Sequence, residues 1–435
     1  MKLSRYNFPF FHDGKNYLYN SFTNAMITLR PEIVQLVDNW DESILSSIPK
    51  EAFDPLLQGG YLIEKEKDEL TRLKVRNRMS RFSNRELGLT IAPTLDCNFK
   101  CIYCFEEPSR AIMTTETADA VYDYVLEALH DKKGLGVCWY GGEPLLAFDI
   151  MEKLTRRFKS LCRTMAIPYE ADIISNGYLM TPEVAKKLTQ EMSVRFWQVT
   201  LDGPPAVHNA RRPLQGGGES FDTVLKNLEA SCHLFERIAV RINIDRTNPE
   251  QVNELLGLLE QKELQDKVSV YFGQVQAIGA ACPGISHQCL STPEFSKVEM
   301  SLNRLLVDRG WPVSMRPSLK GGVCLADQVN SYLIDPSGNL AKCWNCAGVE
   351  SQKVGTIFET KPNDNFFRWL SFDPFEDPEC RNCKMLPVCM GGCPYDKVID
   401  QKKDCFTQKY NLIDRLKLRI DGWKKAESGQ GGKHE

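Results

Sequence analysis

The sequence predicts an α/β fold: a parallel sheet wound as a (β/α)6 partial barrel, with a small α+β unit before it and a cysteine-rich module after it. Two observations carry this expectation. Apolar runs of strand length alternate with amphipathic stretches of helical length, the pattern of parallel strands joined by crossover helices. Cysteines, 16 in 435 residues, crowd into two places, one directly after the first barrel strand and one beyond the last.

Residues 1–86 read as two short strands at 16–20 and 25–29, helices starting at Pro31 and Pro49, and a last strand at 61–63. Strands followed by helices make a small α+β unit. Residues 64–85 carry eight Lys/Arg against four Asp/Glu and read as a solvated linking helix. The barrel, 87–310, has strands expected at 87–92, 135–140, 169–175, 196–201, 238–244 and 267–275. Val121, Tyr124, Val125, Ala128 and Leu129 share one helical face, as do Phe221, Val224, Leu225, Leu228, Cys232 and Phe235. Thr181-Pro182-Glu183 and Thr292-Pro293-Glu294 each place a capping hydroxyl before a proline suited to the first helical turn. A cysteine module at 311–420 and a disordered tail at 421–435, glycine-rich from Ser428, complete the chain.

Cys97, Cys101 and Cys104 form Cys-x3-Cys-x2-Cys, with Tyr103 before the last cysteine. A four-iron cubane takes four thiolates, so a tight trio leaves one iron open to a non-protein ligand. A zinc knuckle is the simpler alternative, but its fourth ligand would have to come from Cys138 or His130, which fall in other elements. The run resembles the radical S-adenosylmethionine (SAM) enzymes. That resemblance implies a [4Fe-4S] cluster on these three cysteines, SAM on the open iron, and a site at the carboxyl ends of the strands.

The second strand ends in Tyr140-Gly141-Gly142-Glu143-Pro144, where that family has the motif for the methionyl amine of SAM. Two glycines permit close backbone approach, and Glu143 offers an acceptor to an ammonium group. Ser175-Asn176-Gly177 closes the third strand, and Thr200-Leu201-Asp202-Gly203-Pro204 the fourth, with His208 and Arg212 following. The arrangement is similar to family members in which a hydroxyl and an arginine hold the SAM carboxylate and ribose. Arg212 is the expected carboxylate clamp, since guanidinium matches carboxylate bidentately.

Beyond the barrel come Cys324, Cys343, Cys380, Cys383, Cys389, Cys393 and Cys405, spaced as in the SPASM domain, an auxiliary module of a large radical SAM branch. The resemblance implies two further [4Fe-4S] clusters, three in all: Cys324, Cys343 and Cys393 for one, Cys380, Cys383, Cys389 and Cys405 for the other. The fourth ligand of the first is open between Cys346, another cysteine and substrate. Cys138, Cys162 and Cys232 fit no such pattern, and Cys138 and Cys232 read as small core residues. Cys282 and Cys289, which also fit no such pattern, flank a Gly- and Pro-containing loop; they read more simply as ordinary loop cysteines, with a place near a cluster or substrate as the alternative.

The net charge of −3, from 54 basic and 57 acidic residues, gives no reason to expect nucleic acid. No run is long enough to span a membrane, and the start Met1-Lys2-Leu3-Ser4 lacks a signal-peptide apolar run. Thiolate-bound clusters point to a reducing cytoplasm, low oxygen, and an external electron donor such as flavodoxin or ferredoxin.

The N-terminal unit resembles the leader-recognition elements of SPASM maturases, which take a ribosomally made precursor peptide as an added strand; the plain structural alternative is a segment that caps the open barrel. The expected function is therefore radical crosslinking of a precursor peptide, a thioether first, with C–C or C–O bonds as variants. Sulfatase maturases, which make formylglycine, carry an aspartate directly after the Gly-x4-Cys cysteine. Here that residue is Trp344. PQQ-type maturases place an aspartate where this chain has Cys389. Asp327 and Asp335 are available as proton acceptors but read more simply as turn residues. A non-catalytic iron–sulfur electron carrier is the alternative of another class, and it would have no need of Gly141–Pro144 or Arg212.

Overall fold

The computed structural model describes the chain except residues 39–47, 108, 280–282, 320–323, 360, 403 and 428–435. Cys282 and the glycine-rich tail from Ser428 lie outside the described residues. At the start, β1 (Lys2–Leu3) pairs antiparallel with β5 (Leu62–Ile63), while β2 (Asn7–His12), β3 (Lys15–Asn20) and β4 (Ala25–Leu29) form a second antiparallel sheet in that order. Helices α1 (Pro31–Asp38) and α2 (Lys50–Gln58) fall between β4 and β5 in the chain. Strands β1 and β2 go beyond the sequence expectation. Pro9 disguises β2, because proline cannot donate to a ladder; it is tolerated since β2 is an edge strand. Asp13 and Gly14, both left-handed at φ 45° and 70°, turn β2 into β3.

Helix α3 (Glu69–Arg81) is not the solvated linker that its composition suggests. Glu69, Leu73, Asn77 and Arg81 recur every fourth residue and are buried as one stripe. Glu69 accepts from Ser4 Oγ at 2.6 Å and from the Arg5 amide at 2.9 Å. Arg81 donates to the Leu370 carbonyl at 3.0 Å. The helix is a strut between the N-terminal unit and the C-terminal module.

Six parallel strands follow: β6 (Glu86–Ile91), β7 (Gly134–Trp139), β8 (Tyr169–Ile174), β9 (Val194–Thr200), β10 (Arg237–Ile244) and β11 (Ser269–Gln274). Each neighbours the next. Crossovers run through α4 (Thr115–Ala128), α5 (Phe148–Thr164), α6 (Pro182–Lys186), α7 (Pro205–Arg211) with α8 (Phe221–Ser231), and α9 (Val252–Gln261), and α10 (Thr292–Asp308) follows β11. On β7, Leu135, Val137 and Trp139 are buried while Gly136 and Cys138 between them are less so, so alternate residues face helices and lumen. Cys138 is thus not a simple core residue: it lies level with Thr90 and Asp172. The Thr181 hydroxyl caps α6, accepting from the Val184 amide at 3.3 Å. The α10 cap is Ser291 rather than Thr292, because Glu294 closes a reciprocal capping box with it.

The C-terminal module extends this sheet. Strand β12 (Ser331–Ile334) adds parallel to β6, and β13 (Asn339–Ala341) and β14 (Gly355–Thr356) continue antiparallel. Four short helices, α11 (Asp364–Leu370), α12 (Pro378–Asn382), α13 (Leu386–Cys389) and α14 (Pro394–Val398), lead to α15 (Gln408–Glu427). The tail expected to be disordered from 421 is helical through Glu427. Asp421 holds it, bonding His12 Nε2 at 2.6 Å and Arg304 Nη1 at 2.8 Å. Tyr19 of β3 packs with Met385, Val388, Leu412 and Leu416, so the first unit rests on the last. Among the described residues no helix is long and apolar enough to cross a membrane.

Replacing Glu69 by alanine leaves the Ser4 hydroxyl and the Arg5 amide without their acceptor. Chemical denaturation is expected to show a loss of about 1–3 kcal/mol.

Candidate active site

Cys97, Cys101 and Cys104 lie on the loop that leaves β6, and backbone hydrogen bonds hold that loop on both sides. Toward the segment after α7, the Lys100 amide donates to the Pro213 carbonyl at 2.8 Å and the Ile102 amide to the Arg211 carbonyl at 3.0 Å. Toward the end of β7, the Gly142 and Glu143 amides donate to the carbonyls of Thr94 at 3.2 Å and Asp96 at 2.9 Å. Contact on this second side is close enough to demand glycine. A Cβ on Gly141, whose φ is 125°, would stand 2.2 Å from the Thr94 oxygen, and one on Gly142 would stand 2.3 Å from that of Asp96. What the two glycines demonstrably admit is the cysteine loop's own backbone.

Glu143 is fully buried, and its carboxylate is already engaged. It accepts from the Ser175 hydroxyl at 2.9 Å, the Asn176 amide at 2.7 Å and the Leu145 amide at 3.1 Å. Burial pushes its carboxyl up to about 7, against the pull of these donors. Three of roughly four acceptor positions are taken, so the side chain ties β7 to β8 more than it offers itself to an ammonium ion. Pro144 starts the short turn that follows. Ser175 is spent in the same tie, since its oxygen also accepts from the Gly177 amide at 3.1 Å. Asn176 faces the cysteines: its Nδ2 donates to Asn98 Oδ1 at 2.7 Å and lies 3.9 Å from Cys97 Sγ.

A second network closes the site beneath Tyr103. Its hydroxyl bonds Asp202, accepts from Arg212 Nη1 at 2.8 Å and from Asn243 Nδ2 at 3.1 Å. Arg211 is consumed by Asp245 at 2.5 Å, Asp202 at 3.4 Å and the Asn243 carbonyl at 3.2 Å. Arg212 is not: its Nε is buried without a partner. Burial opposes its charge, yet Cys101, Tyr103 and Asp202 outweigh burial and hold it firmly protonated. Burial pushes the Cys101 thiol up and Arg212 pulls it back toward thiolate. His208, buried and beside two arginines, is held neutral, and its Nδ1 accepts from the Asp202 amide at 3.3 Å. Thr200 stands at the end of β9, level with Arg241. Asn98, in the cysteine loop, and Asn243 and Asp245, at the end of β10, escape sequence reading because isolated polar residues carry no spacing; the adjacency of Asn98 to Cys97 is the one available signal.

Trp344 spans the strand ends. Its ring stacks on Tyr140 with centroids 5.2 Å apart, and its Nε1 donates to Thr90 Oγ1 at 3.1 Å. Glu106, two residues past Cys104, bonds the Tyr140 hydroxyl, and burial pushes its carboxyl up to about 7. Asp335 is a turn residue, accepting from the amides of Ser337 and Asn339 at 2.9 and 3.0 Å. Asp327 lies in the turn after Cys324.

The later cysteines gather into two neighbourhoods. Cys343 is in hydrogen-bond contact with Cys346 and within electrostatic reach of Cys393, while Cys324 lies near Lys342. Cys380 is within reach of Cys389 and Cys405, and Lys409, whose Nζ is 3.1 Å from Cys405 Sγ, is within reach of Cys383. Cys162 and Cys232 are buried in the barrel core, and Cys289 is half-buried beside Ile285. Among the described residues no three His, Cys, Asp or Glu side chains converge on one metal-ion position, so the grouping is one of loops. The donor chemistry fits iron–sulfur clusters and SAM: three thiols on a pinned loop, and beside them a buried cationic nitrogen awaiting an acceptor.

Residues 91–259 match the model of the Radical SAM superfamily. This part of the chain is a radical SAM domain. Members of that superfamily are enzymes, and the domain implies SAM and a [4Fe-4S] cluster. Over 362 residues the chain is 25% identical to a cysteine-type anaerobic sulfatase-maturating enzyme of Clostridium perfringens, covering 73% of this chain and 91% of that one. It is 21% identical to the radical SAM cyclopropyl synthase TigE of Paramaledivibacter caminithermalis, over 81% of this chain and 77% of the other. In fold it is similar to native anSMEcpe with bound AdoMet and Cp18Cys peptide, at TM-score 0.61 and 19% identity, covering 79% of this chain and 99% of that one. It is also similar to Streptococcus suis SuiB bound to precursor peptide SuiA, at TM-score 0.55 and 15% identity, over 93% and 98%. The radical SAM domain contains the cysteine trio, Gly141–Pro144 and Arg212, and ends before Cys324.

Arg212→Ala removes the buried guanidinium beside Cys101, and equilibrium dialysis of the reconstituted protein is expected to show SAM binding weakened by about 1.5–3 kcal/mol. Gly142→Ala pushes the cysteine loop off β7, with iron content and SAM binding both expected to fall. Replacing Cys97, Cys101 and Cys104 together by alanine is expected to remove the iron of one cluster, about four atoms per chain, and all SAM cleavage.

Proposed function

We propose that the chain modifies a ribosomally made peptide by radical chemistry, installing a crosslink. The observation that carries this reading is the cysteine-trio loop locked against Gly141–Glu143 with Arg212 beside it, and Trp344 of the C-terminal cysteine-rich module stacked on Tyr140 at the end of β7. Bound at a three-cysteine cluster and reduced, SAM supplies a 5′-deoxyadenosyl radical able to take a hydrogen from an unactivated carbon.

The chain's own residues do the rest. Arg212 holds the carboxylate of SAM, with Thr200 at the neighbouring strand end as the remaining hydroxyl; Asn176 and Tyr103 keep the cysteine loop in register. The stacked Trp344 and Tyr140 exclude water from the strand ends, where a carbon-centred radical would otherwise be quenched. Cys324, Cys343, Cys346 and Cys393 hold one auxiliary cluster, and Cys380, Cys383, Cys389 and Cys405 another. Substrate carbon then closes onto a substrate cysteine sulfur; the thiol proton leaves, the surplus electron would be taken up by the C-terminal module, and an external donor such as flavodoxin or ferredoxin would supply the electron that starts the reaction. Such chemistry places the protein in a reducing, oxygen-poor cytoplasm.

Three functional units follow from this reading: 1–86 for the leader, 87–310 for the chemistry and 311–420 for the auxiliary clusters. Among the described residues the outer edges of β2 and β4 are unpaired within their sheet, the surface that an extended leader needs. SuiB, to which the fold is similar, binds a precursor peptide.

Formylglycine formation is the second reading, favoured by the likeness to the sulfatase-maturating enzyme over 91% of its length. Trp344 weighs against it, because an indole cannot take the proton that a carboxylate there would accept.

Anaerobic reconstitution with SAM, dithionite and candidate precursor peptides separates the readings by mass spectrometry. A crosslink appears as loss of a hydrogen pair with sulfur retained, and formylglycine as loss of sulfur with gain of a hydrazide-reactive aldehyde. Full iron content with no 5′-deoxyadenosine under the same conditions would leave the protein an electron carrier.

A further inference from the structure

Arg241 has no role in the reading above, and its surroundings are built around it. It sits on β10, in register with Thr200 of β9 and Tyr271 of β11. Two residues on along the same face is Asn243, which bonds Tyr103, so this face looks into the site. The Arg241 Nε donates to Asn243 Oδ1 at 2.7 Å, and its guanidinium lies 5.7 Å from the Tyr271 ring centroid. Tyr271 is fixed in turn by Gln198, at 2.5 Å. Room for the guanidinium comes from Gly273: a Cβ there would meet Arg241 Nη2 at 2.5 Å.

The head group is therefore oriented and cleared but not neutralised. Among the described residues no carboxylate pairs with Arg241, and of its five N–H donors only the one on Nε has a protein acceptor. Arg211 has two aspartates, and Arg212 stands by Cys101 as the clamp for the cofactor. A half-buried guanidinium with a free planar fork is a receptor for a carboxylate. Its place in the lumen, beside Thr200, is where a peptide must come to present a hydrogen.

We propose that Arg241, steadied by Asn243, Tyr271 and Gln198, binds a carboxylate of the peptide substrate, supplied by an Asp or Glu side chain or by the peptide's own C-terminus. This rests on the peptide-modifying function proposed above, and it makes an acidic group next to the reacting residue a condition of productive binding.

The test uses reconstituted full-length protein with SAM and four pools of randomised hexapeptides: one fixed Glu or one fixed Gln, each with a free or an amidated C-terminus. Retention is read by anaerobic ultrafiltration and mass spectrometry. Wild type is expected to retain an acid-bearing pool about tenfold better than the Gln amide pool. Enrichment of the Glu amide pool assigns a side chain, and of the Gln free-acid pool the C-terminus. Arg241→Gln is expected to abolish the preference while SAM affinity holds, and Arg241→Lys, which keeps charge without the fork, to restore part of it. A preference unchanged in R241Q, no retention of any pool, or SAM affinity lost in R241Q overturns the proposal, the last by giving Arg241 to the cofactor. Acid preference with no peptide modified under any reducing condition would instead sink the peptide-modifying function and leave the carboxylate site standing.

Discussion

The site depends on a backbone contact before it depends on any side chain. The loop bearing Cys97, Cys101 and Cys104 has no regular structure of its own, so its shape comes from what it leans on. On one side that is the Gly141–Gly142 backbone, which meets Thr94 and Asp96 at distances where a methyl group would collide. Glu143 then carries the constraint across to β8 through Ser175 and Asn176. Three strand ends are thereby fixed relative to one another by groups that have no freedom to swing.

The electrostatics of the centre follow from that rigidity. Asp202 and Arg211 neutralise each other in a buried network that includes Asp245, and such networks are costly unless every member is satisfied. Here most members are. The exceptions among the described residues are His208, whose Nε2 has no partner, and Arg212, left with an unpartnered nitrogen beside Cys101. A fixed positive charge at that place favours thiolate on the chain and carboxylate on a ligand, and the two together are what an anionic cluster and an amino-acid-bearing cofactor present.

Much of this is legible in the sequence, for definite physical reasons. Parallel strands buried on one face and lining a lumen on the other show as apolar runs, and all six barrel strands fall within two residues of their expected ends. Cysteine spacing is legible because ligands of one cluster that share a short loop must sit close together in sequence. Other features leave no trace in one dimension. Strand β2 hides behind Pro9, whose exclusion from sheets fails only at edges. Helix α3 reads as solvated because its charges dominate composition, whereas a stripe every fourth residue decides burial. Glu143 reads as a ligand from its neighbours, and only the position of Ser175 and Asn176 reveals that its oxygens are engaged. Arg241 reads as one polar residue in a strand, since the glycine that clears its path lies on the next strand.

The order in which the chain is completed follows from the contact between Tyr19 and α15. His12 meets Asp421 across 409 positions of sequence, and the aromatic side of the first sheet is covered by residues near the end of the chain. During synthesis this sheet emerges well before α15, and its aromatic face stays bare until α15 has left the ribosome. Contacts of such range are slow to close, so the sheet of β2, β3 and β4 settles late, and a polypeptide stopped short of α15 would not present it to a partner in its settled form.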